Sequence, residues 1–130
     1  MDREKTDFEE RANELLVKEL LPLIDDLEAA AKKTKNKKAK KGFELILNKF
    51  MAILAKSGLK RIDAVGKKFD PYYHEAVLSE ESDKPDGTIL EELQKGYMFK
   101  SNVIRHSKVK VTKNKQEVIW QKRSRQKKRK

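Results

Sequence analysis

Residues 7–33 read DFEERANELLVKELLPLIDDLEAAAKK, and the spacing of apolar residues in that stretch decides the fold. Phe8, Ala12, Leu16, Leu20, Ile24, Leu27 and Ala31 recur at steps of three or four, the repeat of one helix face. Leu15, Val17, Leu21 and Leu23 widen that face beyond the narrow seam of a paired coil, as expected of a helix packed in a bundle. Asp7 stands where an N-cap belongs, with Glu10 three residues on. Pro22 leaves the Lys18 carbonyl without its donor and predicts a kink or a change of packing.

Working outward, a second helix is predicted from about residue 40 to 56. Phe43, Ile46 or Leu47, Phe50, and Ile53 or Leu54 repeat at helical spacing, and Gly58 follows where a C-cap glycine belongs. The lysine-rich stretch 32–41 between the helices has no apolar period and reads as a solvated helix end and loop. The two helices therefore form an antiparallel hairpin with apolar faces left over. Two copies joined as a four-helix bundle would cover them.

Past Gly58 the chain turns to short segments punctuated by turn residues. Strands are predicted at 59–65, 76–79, 88–90, 97–99, 103–105 and 108–111, with Lys84-Pro85-Asp86-Gly87 as a turn before Thr88. Residues 116–121 could add another through Val118, Ile119 and Trp120, whereas 123–130 has nothing to bury and is expected to be disordered. The fold class is α+β: a helical dimerisation region over 1–57, a small all-β domain over 58–112, and a basic tail over 113–130.

Composition narrows the function. At 130 residues, 37% hydrophobic and 41% charged, the chain has the length of one domain and a modest core, which argues against a large catalytic architecture and for oligomerisation. It has no cysteine, so disulfides and cysteine-bound metals are excluded and a reducing cytoplasm is suited. Without an apolar run of roughly 18 residues or a signal-like opening, a soluble cytoplasmic protein that spans no membrane is expected. The net charge of +11 is concentrated in two places. Residues 32–41 carry +7 and residues 112–130 carry +8, leaving −4 for the remainder. A nucleic-acid-binding domain normally spreads its basic residues over a folded face.

Three ordered segments then carry a resemblance. The first is Leu20-Leu21-Pro22-Leu23-Ile24-Asp25-Asp26-Leu27-Glu28, and the second is Gly42-Phe43-Glu44-Leu45 followed by Phe50 and Gly58-Leu59. The third is Phe69-Asp70-Pro71-Tyr72-Tyr73-His74-Glu75-Ala76-Val77, followed by Gly87-Thr88-Ile89, Gln94-Lys95-Gly96-Tyr97 and Val103-Ile104-Arg105. In this order and spacing they resemble the GrpE family up to about Val111. The resemblance implies a homodimer with a central four-helix bundle, from which a β domain enters the ATPase cleft of a DnaK-class chaperone and speeds ADP release. It implies no catalysis and no cofactor.

Carried over by residue, the resemblance implies chaperone contacts at Gly42, Phe69, Pro71, Leu93, Asn102 and Val111. It implies dimerisation through Leu16, Leu20, Ile24, Leu27, Phe43, Leu47 and Phe50. Asn102 stands where the family usually has Arg, and Tyr72 where it tends to have Asn. Most of the family's long N-terminal stalk is missing from this sequence.

Two other readings are weaker. His74 with Glu75 and Asp70 has no defined metal-ligand spacing, and a turn histidine is the better account than an acid/base site. Lys122 to Lys130 with Trp120 could bind nucleic acid by counterion release and stacking, the alternative to exchange activity, but a solubilising tail explains the same residues.

Overall fold

The computed structural model describes residues 2–113. Two helices, α1 (Asp2–Lys33) and α2 (Lys37–Ser57), precede six strands: β1 (Leu59–Arg61), β2 (His74–Glu81), β3 (Ile89–Gln94), β4 (Tyr97–Phe99), β5 (Asn102–Arg105) and β6 (Ser107–Lys113). The fold is α+β, as predicted. The chain divides into two compact units that alternate along the sequence: Met1–Lys60 with Tyr97–Arg105, and Arg61–Gly96 with His106–Lys130.

In the first unit, α1 begins at Asp2, so Asp7 lies within the helix and is not its N-cap. Asp2 and Glu4 occupy the first turn, where negative charge is favoured by the helix dipole, and the Thr6 hydroxyl donates back to the Asp2 carbonyl at 2.8 Å. The helix runs through Pro22, which is exposed, as is Lys18, whose carbonyl loses its donor. The broad apolar stripe divides between two faces. Val17, Leu21, Ile24 and Ala31 are buried, while Phe8, Leu15, Leu16 and Leu23 remain exposed.

The connection to α2 is only residues 34–36, and α2 starts at Lys37 because Asn36 caps it. The Asn36 Oδ1 accepts from the backbone N–H groups of Lys38 and Ala39 at 3.0 and 3.2 Å. Gly58 ends the helix at φ 121°, donating its N–H to the Ala55 and Leu54 carbonyls. Beyond it lies a three-stranded sheet in the order β1-β4-β5. Leu59, Tyr97, Phe99 and Ile104 from this sheet meet Val17, Leu21, Ile24 and Leu54 in one core, with Leu20, Phe50 and Met51 packed against it.

In the second unit, β6 is central in the order β2-β6-β3, parallel to β2 and antiparallel to β3. Its core is Ala64, Ile89, Val109 and Val111, with Phe69 packed alongside. Lys110 on the middle strand bridges both neighbours, lying 3.1 Å from Glu80 on β2 and 3.1 Å from Glu91 on β3. Hydrogen bonds to these two carboxylates push the Lys110 ammonium above its ordinary range.

The strand predicted over 59–65 stops at Arg61. Ile62 and Ala64 are buried, and the chain is held there by the Ile62 N–H donating to the Gly96 carbonyl at 3.0 Å. The predicted turn forms, with Gly87 at φ 84° and the Thr88 hydroxyl donating to the Pro85 carbonyl at 2.6 Å. The strand candidate at 116–121 lies outside the described residues, as does nearly all of the basic tail.

Candidate functional site

Phe69-Asp70-Pro71-Tyr72-Tyr73 leads into β2 and forms a tightly knit turn. The Asp70 carbonyl accepts from the N–H groups of Tyr73 and His74 at 3.0 and 2.9 Å, and the Asp70 Oδ1 accepts from the Tyr72 N–H at 3.0 Å. Asp70 here performs the local backbone bonding that makes aspartate a turn residue. Pro71 adds a fixed φ and has no N–H to satisfy. The turn joins its sheet where the Ser107 N–H donates to the Tyr73 carbonyl at 3.0 Å.

Aromatic side chains surround this turn. Phe69 is half-buried, with its ring centroid 6.0 Å from that of His74, and the Tyr73 ring centroid lies 6.1 Å from that of His74. Tyr72 meets Tyr73 edge to face at 4.7 Å and is itself 57% exposed. A rigid loop presenting Pro71 and Tyr72 to solvent over a half-buried Phe69 has the form of a binding anchor.

The remaining residues named for chaperone contact occupy varied surroundings. In the second unit, Leu93 on β3 is 45% exposed, whereas Val111 sits in the core and is only 8% exposed. In the first unit, Gly42 is exposed on α2, and a Cβ added there would meet nothing within 4 Å. Asn102 is exposed on β5, and its Nδ2 donates to Glu14 Oε2 at a long 3.4 Å.

Its charged neighbours bond to α1. Lys100 pairs with Glu10 at 2.7 Å, and Arg105 makes a two-pronged pair with Asp25 at 2.6 and 2.8 Å. Asn102 lines a groove beside α1 whose charged residues, Glu4, Asp7, Glu10 and Glu14, are acidic apart from Arg11.

Residues named for dimerisation fall into three grades. Leu16 is 57% exposed; Leu20, Leu27, Phe43, Leu47 and Phe50 are half-buried; Ile24 is fully buried in the core of its own protomer. Ile24 thus has no surface left for a second copy. Leu45, Ile46 and Ile53 on α2, which are not among the residues named for dimerisation although Ile46 and Ile53 are alternatives in the helical period, are all more than half exposed.

His74 is buried, with its Nδ1 accepting the Asp70 N–H at 3.0 Å. Burial lowers its pKa below the ordinary value of 6.5, against the opposing charges of Asp70 and Glu92 and assisted by His106. No group of three or more His, Cys, Asp or Glu side chains among the described residues could hold a metal ion. No helix among them is long and apolar enough to cross a membrane.

Comparison with known proteins places these features. The GrpE family profile matches residues 1–113. The chain is 41% identical over 122 residues to Protein GrpE of Desulfatibacillum aliphaticivorans, covering 88% of this chain and 59% of that protein. It is 43% identical over 112 residues to Protein GrpE of Methanosphaera stadtmanae, covering 85% and 65%. Against Protein GrpE of Geobacillus stearothermophilus it is 44% identical over 102 residues, covering 75% and 46%. The chain thus spans about half to two thirds of the length of these relatives. With a profile match that runs through both units and identities above 40%, the chain belongs to the GrpE family.

Proposed function

We propose that this chain is a nucleotide exchange factor that binds the ATPase domain of a DnaK-class chaperone and accelerates ADP release by stabilising the open cleft. The observation that carries this reading is the family match over residues 1–113, which takes in both helices and all six strands of the described residues. Contact through residues 58–112 and dimerisation through residues 1–57 complete the proposal. Such a factor makes and breaks no covalent bond. Its action lies in binding one conformation of its partner more tightly than the other, and nucleotide must expel it by the same linkage.

Several features support this assignment of surfaces. Phe69, Pro71 and Leu93 give the second unit a rigid presentation with apolar anchors at its surface. Val111 supports these from beneath, as part of the core on which Phe69 rests. Gly42 and Asn102 offer sites of close approach in the first unit. For dimerisation, Leu16, Leu45 and Ile46 leave apolar surface on both helices that a monomer would expose to water. The contact set is expected to be Leu16 with the half-buried Leu20, Leu27, Phe43, Leu47 and Phe50.

Stopped-flow release of a fluorescent ADP analogue from a DnaK-class chaperone tests the reading. Acceleration that rises with the concentration of this chain and saturates is expected. Release at the intrinsic rate, with chaperone from the same organism and the chain in large excess, would overturn it.

A further inference from the structure

Four hydrogen bonds around Asp70 define the turn between Phe69 and His74. Three are accepted by its own carbonyl and carboxylate, and those are ordinary turn bonds. The fourth differs in kind, because the Asp70 N–H donates to the ring Nδ1 of His74, four residues on, at 3.0 Å. A backbone N–H can only donate, so this ring nitrogen must carry its lone pair and the ring proton must sit on Nε2.

From this geometry we propose that His74 is the positioning residue of the turn that carries Phe69 and Pro71: its Nδ1 lone pair, by accepting the Asp70 N–H, holds the turn in the shape a chaperone reads. The proposal rests on the exchange-factor reading for its functional consequence, and on the bond alone for its structural one.

The surroundings favour a specific role over mere filling of space. His74 is 6% exposed, and the rings of Phe69 and Tyr73 lie 6.0 and 6.1 Å from its own, so the imidazole has little access to water as an alternative partner. Its register partner on β6 is Ser107, which is fully buried. Protonating Nδ1 would set an N–H against the Asp70 N–H, converting the bond into a clash of two donors.

The charged groups facing the ring come from each element around it: Asp70 from the turn, Glu92 from β3, and His106 from the segment between β5 and β6. Glu92 has one carboxylate oxygen buried without a hydrogen-bond partner. Burial, the largest influence, and His106 disfavour the protonated ring; the two acids and a backbone hydrogen bond with Asp70 favour it, and the neutral form is the one in which Nδ1 can accept the Asp70 N–H. The turn should therefore loosen in acid.

The experiment combines an NMR titration of the whole chain with binding to the ATPase domain of a DnaK-class chaperone. In the wild type, the Asp70 amide should shift and lose hydrogen-exchange protection together with titration of His74, at a midpoint below the ordinary histidine value of 6.5. His74→Asn places an amide oxygen where Nδ1 stands. It should rescue both amide protection and binding, and make each independent of pH through the same range.

His74→Phe keeps the ring and removes the acceptor. It should keep the Ile89 and Val109 methyl shifts of a folded core, lose Asp70 protection, and bind about tenfold more weakly, the effect of one lost hydrogen bond. Retained Asp70 protection in His74→Phe, or equal losses in His74→Asn and His74→Phe, would overturn the proposal. The amide readout needs no chaperone. A chain that bound none would remove the exchange reading, and the titration would still uphold or overturn the holding role of His74.

Discussion

Arg105 and Asp25 stand 80 residues apart in sequence and meet through two parallel hydrogen bonds, Nη1 to Oδ2 at 2.6 Å and Nη2 to Oδ1 at 2.8 Å. The guanidinium also lies 5.4 Å from the centroid of the Tyr97 ring, which is fully buried in the same core. One side chain thus fastens β5 to α1 through charge, geometry and stacking together. The pair is only partly exposed, at 16% and 32%, so water screens it less than a surface bridge.

Arg105→Lys keeps the charge but loses the fork and the stacked plane, and should destabilise the chain by about 1–2 kcal/mol. Arg105→Ala leaves Asp25 half-buried without this partner and should cost about 2–4 kcal/mol. Urea denaturation followed by far-UV circular dichroism measures both. Coupling between Arg105→Ala and Asp25→Ala in a double-mutant cycle should exceed the few tenths of a kcal/mol seen for distant sites. Simple additivity would show that the pair contributes nothing beyond packing.

Two glycines make opposite predictions. A Cβ on Gly96 would lie 2.4 Å from both the backbone nitrogen and the Oγ of Ser107, and Ser107 is locked in β6. Gly96→Ala should therefore cost about 2 kcal/mol or more, since overpacking against backbone cannot be relieved by a rotamer change. Gly42 is mid-helix with open space around it, and Gly42→Ala should stabilise α2 by about 0.5–1 kcal/mol. If a chaperone comes close at Gly42, that same variant should bind it more weakly despite being more stable. Thermal melts and a binding titration on one preparation separate the two effects.

Much of this architecture was legible because local rules and tertiary packing agree. Gly58 and Gly87 stand where backbone geometry demands them, so the end of α2 and the main turn could be read from the sequence, whereas periodicity places the start of α2 near residue 40 rather than at Lys37 because the lysine run has no apolar period to mark it. The start of α1 was misplaced because Asp7 is a good cap residue, and periodicity cannot show that Asp2 and Glu4 extend the helix behind it.

The grouping of β4 and β5 with the helices had no local signal. It depends on Tyr97, Phe99, Ile104 and Arg105 finding partners in α1 and α2. The parallel pairing of β2 with β6 was equally hidden, since strand periodicity is the same for either direction. At the candidate site, the turn could be foreseen from Asp70-Pro71. The bond from Asp70 to His74 could not, because nothing in a sequence tells which ring nitrogen is proton-free.

Burial of His74 predicts a pH dependence of stability with a definite sign. Its folded pKa is lowered from 6.5, mainly by desolvation, so near and below that pH the unfolded chain binds a proton that the folded chain resists. Stability should be full above about pH 7.5 and fall as the pH drops through the unfolded value, until the folded group protonates as well. Urea midpoints measured at intervals from neutral to mildly acidic pH should show this slope in the wild type, with its His74 share removed in His74→Asn. An unchanged slope in that variant would assign the effect to other groups.

The apolar stripe on α1 separates folding from assembly, because its two faces differ so sharply in exposure. Ile24 is 0% exposed, and Ile24→Asp would place a charge in the core shared with Leu21, Tyr97 and Phe99, which should unfold the helical unit. Leu16 is 57% exposed within one protomer, so Leu16→Asp should leave the fold intact and instead split the proposed dimer by burying a charge between copies. Sedimentation velocity at tens of micromolar should give a dimer for the wild type and a folded monomer for Leu16→Asp, with helical content preserved by circular dichroism. Ile46→Asp on α2, 73% exposed, should behave in the same way if α2 joins the interface. A Leu16→Asp variant that sediments as a dimer would move the seam off this face, and loss of helix in that variant would mean Leu16 is needed to complete the protomer itself.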